Sequence, residues 1–123
     1  MTDHSPVTAR DLMVFDAACR TDFVTFVGKC FYTLVPNKEF HMNWHIAAMA
    51  HHAELVRLGK LRRLLVNVPP RSLKSIVYSV AFPAFILGHD PTKRLIVVSY
   101  GAELSIKHFR IGSTCGSSCR APA

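Results

Sequence analysis

A chain of 123 residues is one domain's worth of protein, long enough for a modest core, and with 50% hydrophobic and 10% aromatic residues its composition is that of a globular rather than a disordered chain. Lys and Arg outnumber Asp and Glu by 15 to 8, a formal charge of +7. That balance favours phosphate-bearing partners, nucleotide or nucleic acid, without choosing between them, and it also serves plain solubility.

The N-terminus M-T-D-H-S-P has no basic region ahead of an apolar one, so no signal peptide is expected. The longest uncharged run, 75–88, is shorter than the ~20 residues that cross a bilayer, and it contains Pro83. The four cysteines are then expected as reduced thiols, with Cys19 and Cys30 small and buried among apolar neighbours.

Taken in order, residues 1–7 are polar and expected to fray. Thr8 with Asp11 three residues on is a capping pair, and Leu12, Phe15, Ala18 and Cys19 would share one face of the helix that follows. From Asp22 a second helix places Phe23, Phe26, Val27, Cys30 and Phe31 on one side, until Pro36-Asn37 ends it. A third, opened by His41 or Asn43, spans 44–58 and closes on Gly59. His41, His45, His51 and His52 invite a metal reading. Without an H-E-x-x-H pair or cysteines at zinc spacing, they read better as solvated or hydrogen-bonded histidines. Arg57, Lys60, Arg62 and Arg63 form a basic cluster that would either touch DNA or solvate the helix end.

Residues 62–75, R-R-L-L-V-N-V-P-P-R-S-L-K-S, organise the rest. The apolar run 64–68 is too short for a helix and is stopped by two prolines, which predicts a strand, a turn and then a helix over 72–87. Pro83 should kink that helix or end it early. A lysine beside a hydroxyl residue at the mouth of a helix suits a phosphate: Lys74 as point charge, Ser75 for magnesium, the helix N–H groups as donors. The pattern departs from G-x-x-x-x-G-K-S/T, with Val68 and Leu73 at the glycine places. Leu73 must stay in an ordinary backbone region or accept strain that glycine avoids. A Pro-bounded surface turn with Ser72 capping the helix is the alternative for these residues alone. After the turn 89–91, the β-branched run 95–98 predicts a second strand buried on both faces, and 101–110 a short helix. The tail 111–123 is small and polar, with Cys115 and Cys119 as a conceivable metal clip or disulfide and a disordered segment as the simpler reading.

N-V-P-P-R-S-L-K-S-I, preceded by N-W-H-I and followed by A-F-P-A-F-I-L-G-H-D-P and R-L-I-V-V-S-Y, resembles the start of the ATPase domain of the large terminase subunit of tailed phages and prophages. The resemblance covers about 23–110. It implies an α/β fold in which N-terminal helices (1–61) precede a truncated βαβ unit of parallel strands (62–110), with 111–123 a disordered or frameshifted tail.

It also implies that Arg71, Ser72, Lys74 and Ser75 hold ATP phosphates, Ser75 with Mg2+, and that Trp44 and His45 stand at the adenine side. Ser99, Tyr100 and Lys107 would lie beside a DNA-translocation segment. The implied partners are double-stranded DNA and, in the intact family, the small terminase subunit and the capsid portal, in the cytoplasm of a bacterial host. Only Asp90 and Glu103 follow the loop among the eight acids, and neither ends an apolar strand, so ATP and nucleic-acid hydrolysis are not expected of this chain. The rival readings are a small basic DNA-binding module, working through 57–63 and 107–120, and a prophage remnant without function.

Overall fold

The computed structural model describes residues 8–118. Helix α1 (Ala9–Thr21) opens on the expected reciprocal cap: the Asp11 amide donates to the Thr8 hydroxyl, and the Thr8 amide donates to the Asp11 carboxylate at 2.9 Å. The Thr8 hydroxyl also donates to that carboxylate at 2.6 Å, and this bond, with the one from the Thr8 amide, holds the Asp11 carboxyl below its ordinary range. Of the four residues expected to face inward, Cys19 is buried, whereas Leu12 and Phe15 are exposed. Asp22 closes α1 and at once caps α2 (Phe23–Leu34), its carboxylate accepting from the Thr25 amide at 2.8 Å. Phe23, Phe26, Val27, Cys30 and Phe31 are all buried, as their spacing predicts.

Helix α3 (Trp44–Arg57) buries Ile46, Met49, Ala50 and Ala53, and Asn43 stands at its N-cap. Gly59 takes a left-handed φ of 73°, which lets its amide turn back to the Val56 carbonyl and that of Lys60 to Leu55. A π-helical segment (Ile76–Ala81) runs without a break into α4 (Phe82–His89), and α5 (Ala102–Ser118) packs across both. Phe85 is the hub of the core, with ring centroids 5.1 Å from Phe23 and 5.5 Å from Phe26.

The expected α/β architecture does not form. Every regular element among the described residues is helical, and there is no strand or sheet. Segments 64–68 and 95–98 have strand composition, but their backbone groups make no ladder with any described residue. Val66 and Val68 lean on the helical core, while exposure alternates along 95–98 at 40, 91, 47 and 86%. The physical reason is partnership. A pair of strands is marginal without a third strand or a covering layer, and here the helices close a core among themselves.

Two further differences concern helices. Pro83 does not end its helix: in the wide turn directly ahead of it the Phe82 amide donates to the Val77 carbonyl five residues back, and the helix runs on to His89. The helix predicted over 101–110 continues to Ser118, with Ile111 against the core and Gly112 so close that a Cβ there would lie 3.5 Å from the Val80 carbonyl oxygen. Cys119 and the side chain of Cys115 lie outside the described residues, as do residues 1–7.

Candidate phosphate-binding loop

Residues 69–75 join the irregular segment 62–68 to the helix that begins at Lys74. Two of them are left-handed without being glycine, Arg71 at φ 67° and Leu73 at φ 59°. Each costs about 1–2 kcal/mol relative to an ordinary conformation, so something must hold it. At Leu73 the holder is visible, because its half-buried side chain packs against the hydrophobic core. Leucine at the second glycine place thus adopts the backbone glycine would supply, anchored by its own side chain. The first glycine place, Val68, is likewise set against the core.

The loop's polar groups divide clearly. The Ser72 hydroxyl donates to the Pro69 carbonyl, which closes the turn and uses its one donor hydrogen. That hydroxyl proton is therefore not free for a phosphate, and no helix amide among the described residues donates to the Ser72 oxygen as an N-cap would require. Lys74 and Ser75 are exposed on the opening turn, and Ser75 makes no side-chain cap bond there. Arg71 is exposed, and no ion pair among the described residues engages it. Three side chains, Arg71, Lys74 and Ser75, are thus available to an anion at the positive end of a helix.

The remaining candidates are scattered. Trp44 is 84% exposed, edge-on to His45 at 6.1 Å, one turn ahead of Met49. The Met49 carbonyl accepts from the Tyr78 hydroxyl at 3.0 Å, which ties α3 to the helix behind the loop. Arg57 turns back on its own fold, its Nε 2.8 Å from Glu54 Oε2 and its guanidinium over the Phe85 ring at 5.8 Å. Lys60, Arg62 and Arg63 are exposed. Ser99 is half-buried and Tyr100 almost fully exposed in the segment before α5. An open groove of about 430 Å³ lies along α5, lined by Glu103, Ile106, Lys107, Arg110 and Ile111. No feature of the sequence separates that groove from an ordinary solvated helix face.

His52 Nδ1 donates to the Ala48 carbonyl at 2.7 Å, and no group of three His, Cys, Asp or Glu among the described residues is placed to share a metal ion. No helix among the described residues is long and apolar enough to cross a membrane.

No family model matches the chain, and no curated protein or solved structure matches it either.

Proposed function

We propose that this chain binds the phosphates of a nucleotide at residues 69–75, as the ATP-binding part of a phage large terminase ATPase domain. The observation that carries the reading is the placement of Lys74 and Ser75, exposed on the first turn of a helix directly behind the left-handed Leu73. Lys74 neutralises the terminal phosphates, Arg71 gives a second contact, and the unpaired N–H groups of the helix start complete the cradle. The Ser75 hydroxyl fits a magnesium ion carried in with ATP, since no cap bond engages it. Trp44 offers an exposed ring for the base. The wider setting proposed with this reading is DNA packaging in the host cytoplasm, with double-stranded DNA, a small terminase subunit and a capsid portal as partners.

Binding is proposed without turnover. Phosphoryl transfer needs a carboxylate that orients the attacking water and anchors magnesium. Asp90 caps the far end of α4, where its carboxylate accepts from the Thr92 amide, and helix rise puts it roughly 20 Å from Lys74.

Calorimetry with Mg·ATP on the whole chain tests the reading. Lys74→Ala is expected to weaken binding about tenfold or more, the loss of one charge-assisted contact of ~1.5–3 kcal/mol. Equal affinities overturn it.

The exposed cations Lys60, Arg62 and Arg63, with Lys107 and Arg110 on α5, favour a second reading as a basic DNA-binding module. DNA affinity that falls steeply with salt and ignores both ATP and Lys74→Ala would establish it instead.

A further inference from the structure

The helix that carries Lys74 and Ser75 changes register once along its length. Near its start the Val77 amide donates to the Leu73 carbonyl, an ordinary four-residue step. At the end of the π-helical segment Ile76–Ala81 the Phe82 amide reaches back five residues, to Val77. By its C-terminus the four-residue step has returned, with the Asp90 amide donating to Ile86. One extra residue is thus held in the helix between the loop and the core-packed residues Ala84 and Phe85. Because an α-helix turns about 100° per residue, that one residue decides which way the first turn faces relative to the core.

Pro83 stands immediately after the wide turn. In an uninterrupted α register the amide at 83 would donate to the Ser79 carbonyl, and proline has none. Its ring would also meet that carbonyl. The wide turn relieves the steric conflict, since in a five-residue register position 83 no longer stands over the Ser79 carbonyl.

We propose that Pro83 is a positioning residue for the phosphate loop: by denying the helix its α register at Ser79, it holds the π-helical segment open and sets the direction in which Lys74 and Ser75 face. The inference rests on the phosphate-binding reading above. The segment is well suited to transmit such a setting. Val77, Val80 and Ala81 are buried on its inner side, and the Tyr78 hydroxyl is bonded to α3. A change of register therefore cannot be absorbed locally. It must either break those contacts or swing the loop, whose Leu73 is itself anchored in the core.

The experiment compares the whole chain with Pro83→Ala and Pro83→Gly. Both substitutions restore the amide, but alanine favours a helix and glycine does not, so their thermal stabilities should separate, alanine above glycine. Affinity for Mg·ATP should nevertheless fall together in the two, by about tenfold or more if the Lys74 contact is misdirected. A merely structural role would make affinity follow stability instead. Independently of any ligand, NMR couplings across hydrogen bonds should link the Phe82 amide to the Val77 carbonyl in the parent chain and to the Tyr78 carbonyl in both variants.

Retention of the Phe82 to Val77 coupling in the variants, its absence from the parent, or unchanged affinity in both variants overturns the proposal. If the parent chain fails to bind Mg·ATP, the phosphate reading falls by itself. The register couplings then still decide whether Pro83 holds the wide turn.

Discussion

The Tyr78 hydroxyl donates to the Met49 carbonyl at 3.0 Å, the side-chain hydrogen bond that joins the helix behind the loop to α3. The Met49 carbonyl keeps its place in the α3 ladder if Tyr78 is lost, so Tyr78→Phe leaves no orphan and should cost only about 0.5–1.5 kcal/mol in denaturant unfolding. Burial raises the Tyr78 pKa above its ordinary value. The folded state therefore holds this proton more tightly than the unfolded chain does. The stabilisation is complete below about pH 10 and is lost as pH rises through the folded pKa. Tyr78→Phe should abolish that part of the alkaline loss. An unchanged pH profile in the variant would show that Tyr78 is not its source.

Arg71 and Leu73 share a left-handed backbone but differ in what their side chains do. Arg71→Gly removes strain at an exposed position and should leave stability level or raised by up to about 1 kcal/mol, since glycine's extra unfolded-state freedom offsets part of the gain. Leu73→Gly removes the same strain together with a side chain packed on the core, where full burial of a leucine is worth ~1.5–3 kcal/mol. It should destabilise. Chemical denaturation of the two variants measures both signs, and a Leu73→Gly chain more stable than Arg71→Gly would mean the anchor is not holding the loop.

The Lys29 ammonium sits 2.8 Å from the Asp16 carboxylate and 5.8 Å from the centre of the Phe15 ring, joining α1 to α2. The hydrogen bond to Lys29 lowers the Asp16 pKa, so its contribution is present above the unfolded value near 3.9 and is lost as pH falls below it. Asp16 is 42% exposed, and solvent screens the pair. Asp16→Asn should cost no more than about 1 kcal/mol at low salt and less at high salt. Thermal melts at two ionic strengths test it, with a salt-independent loss as the contrary result.

Ile96 and Val98 present apolar side chains to water from a segment with no ladder partner among the described residues. Such a stretch is prone to pair between molecules. The purified chain should self-associate with rising concentration, and Ile96→Lys with Val98→Lys should suppress it in sedimentation velocity. A parent chain that stays monomeric throughout would count against the prediction.

The features legible in the sequence were those whose cause is local. The Thr8 and Asp11 cap, the five inward residues of α2 and the Gly59 stop each need only near neighbours, and each stands where its spacing puts it. Segments 64–68 and 95–98 misled because strand composition is a local property, whereas a strand exists only when a distant partner supplies its hydrogen bonds. Leu12 and Phe15 misled for a related reason, since periodicity marks a face without showing what covers it. At the loop, the exposure of Lys74 and Ser75 could be expected from their place after the prolines. The left-handed Leu73 could not, because it depends on packing against elements far away in the chain, and Pro83 marks a break in the α register without telling whether the helix ends, kinks or widens there.

The two irregular apolar segments share one more property, a basic pair directly ahead of each: Arg62-Arg63 before Leu64, and Lys93-Arg94 before Leu95. Proteases seize their substrates as extended chain, and here exposed chain outside the helices already lies next to trypsin-type residues. Cuts at these two places would part the molecule into α1 to α3, the π-helical segment with α4, and α5. The lifetime of the chain in a cell would then be set at these two junctions rather than by the stability of its phenylalanine core.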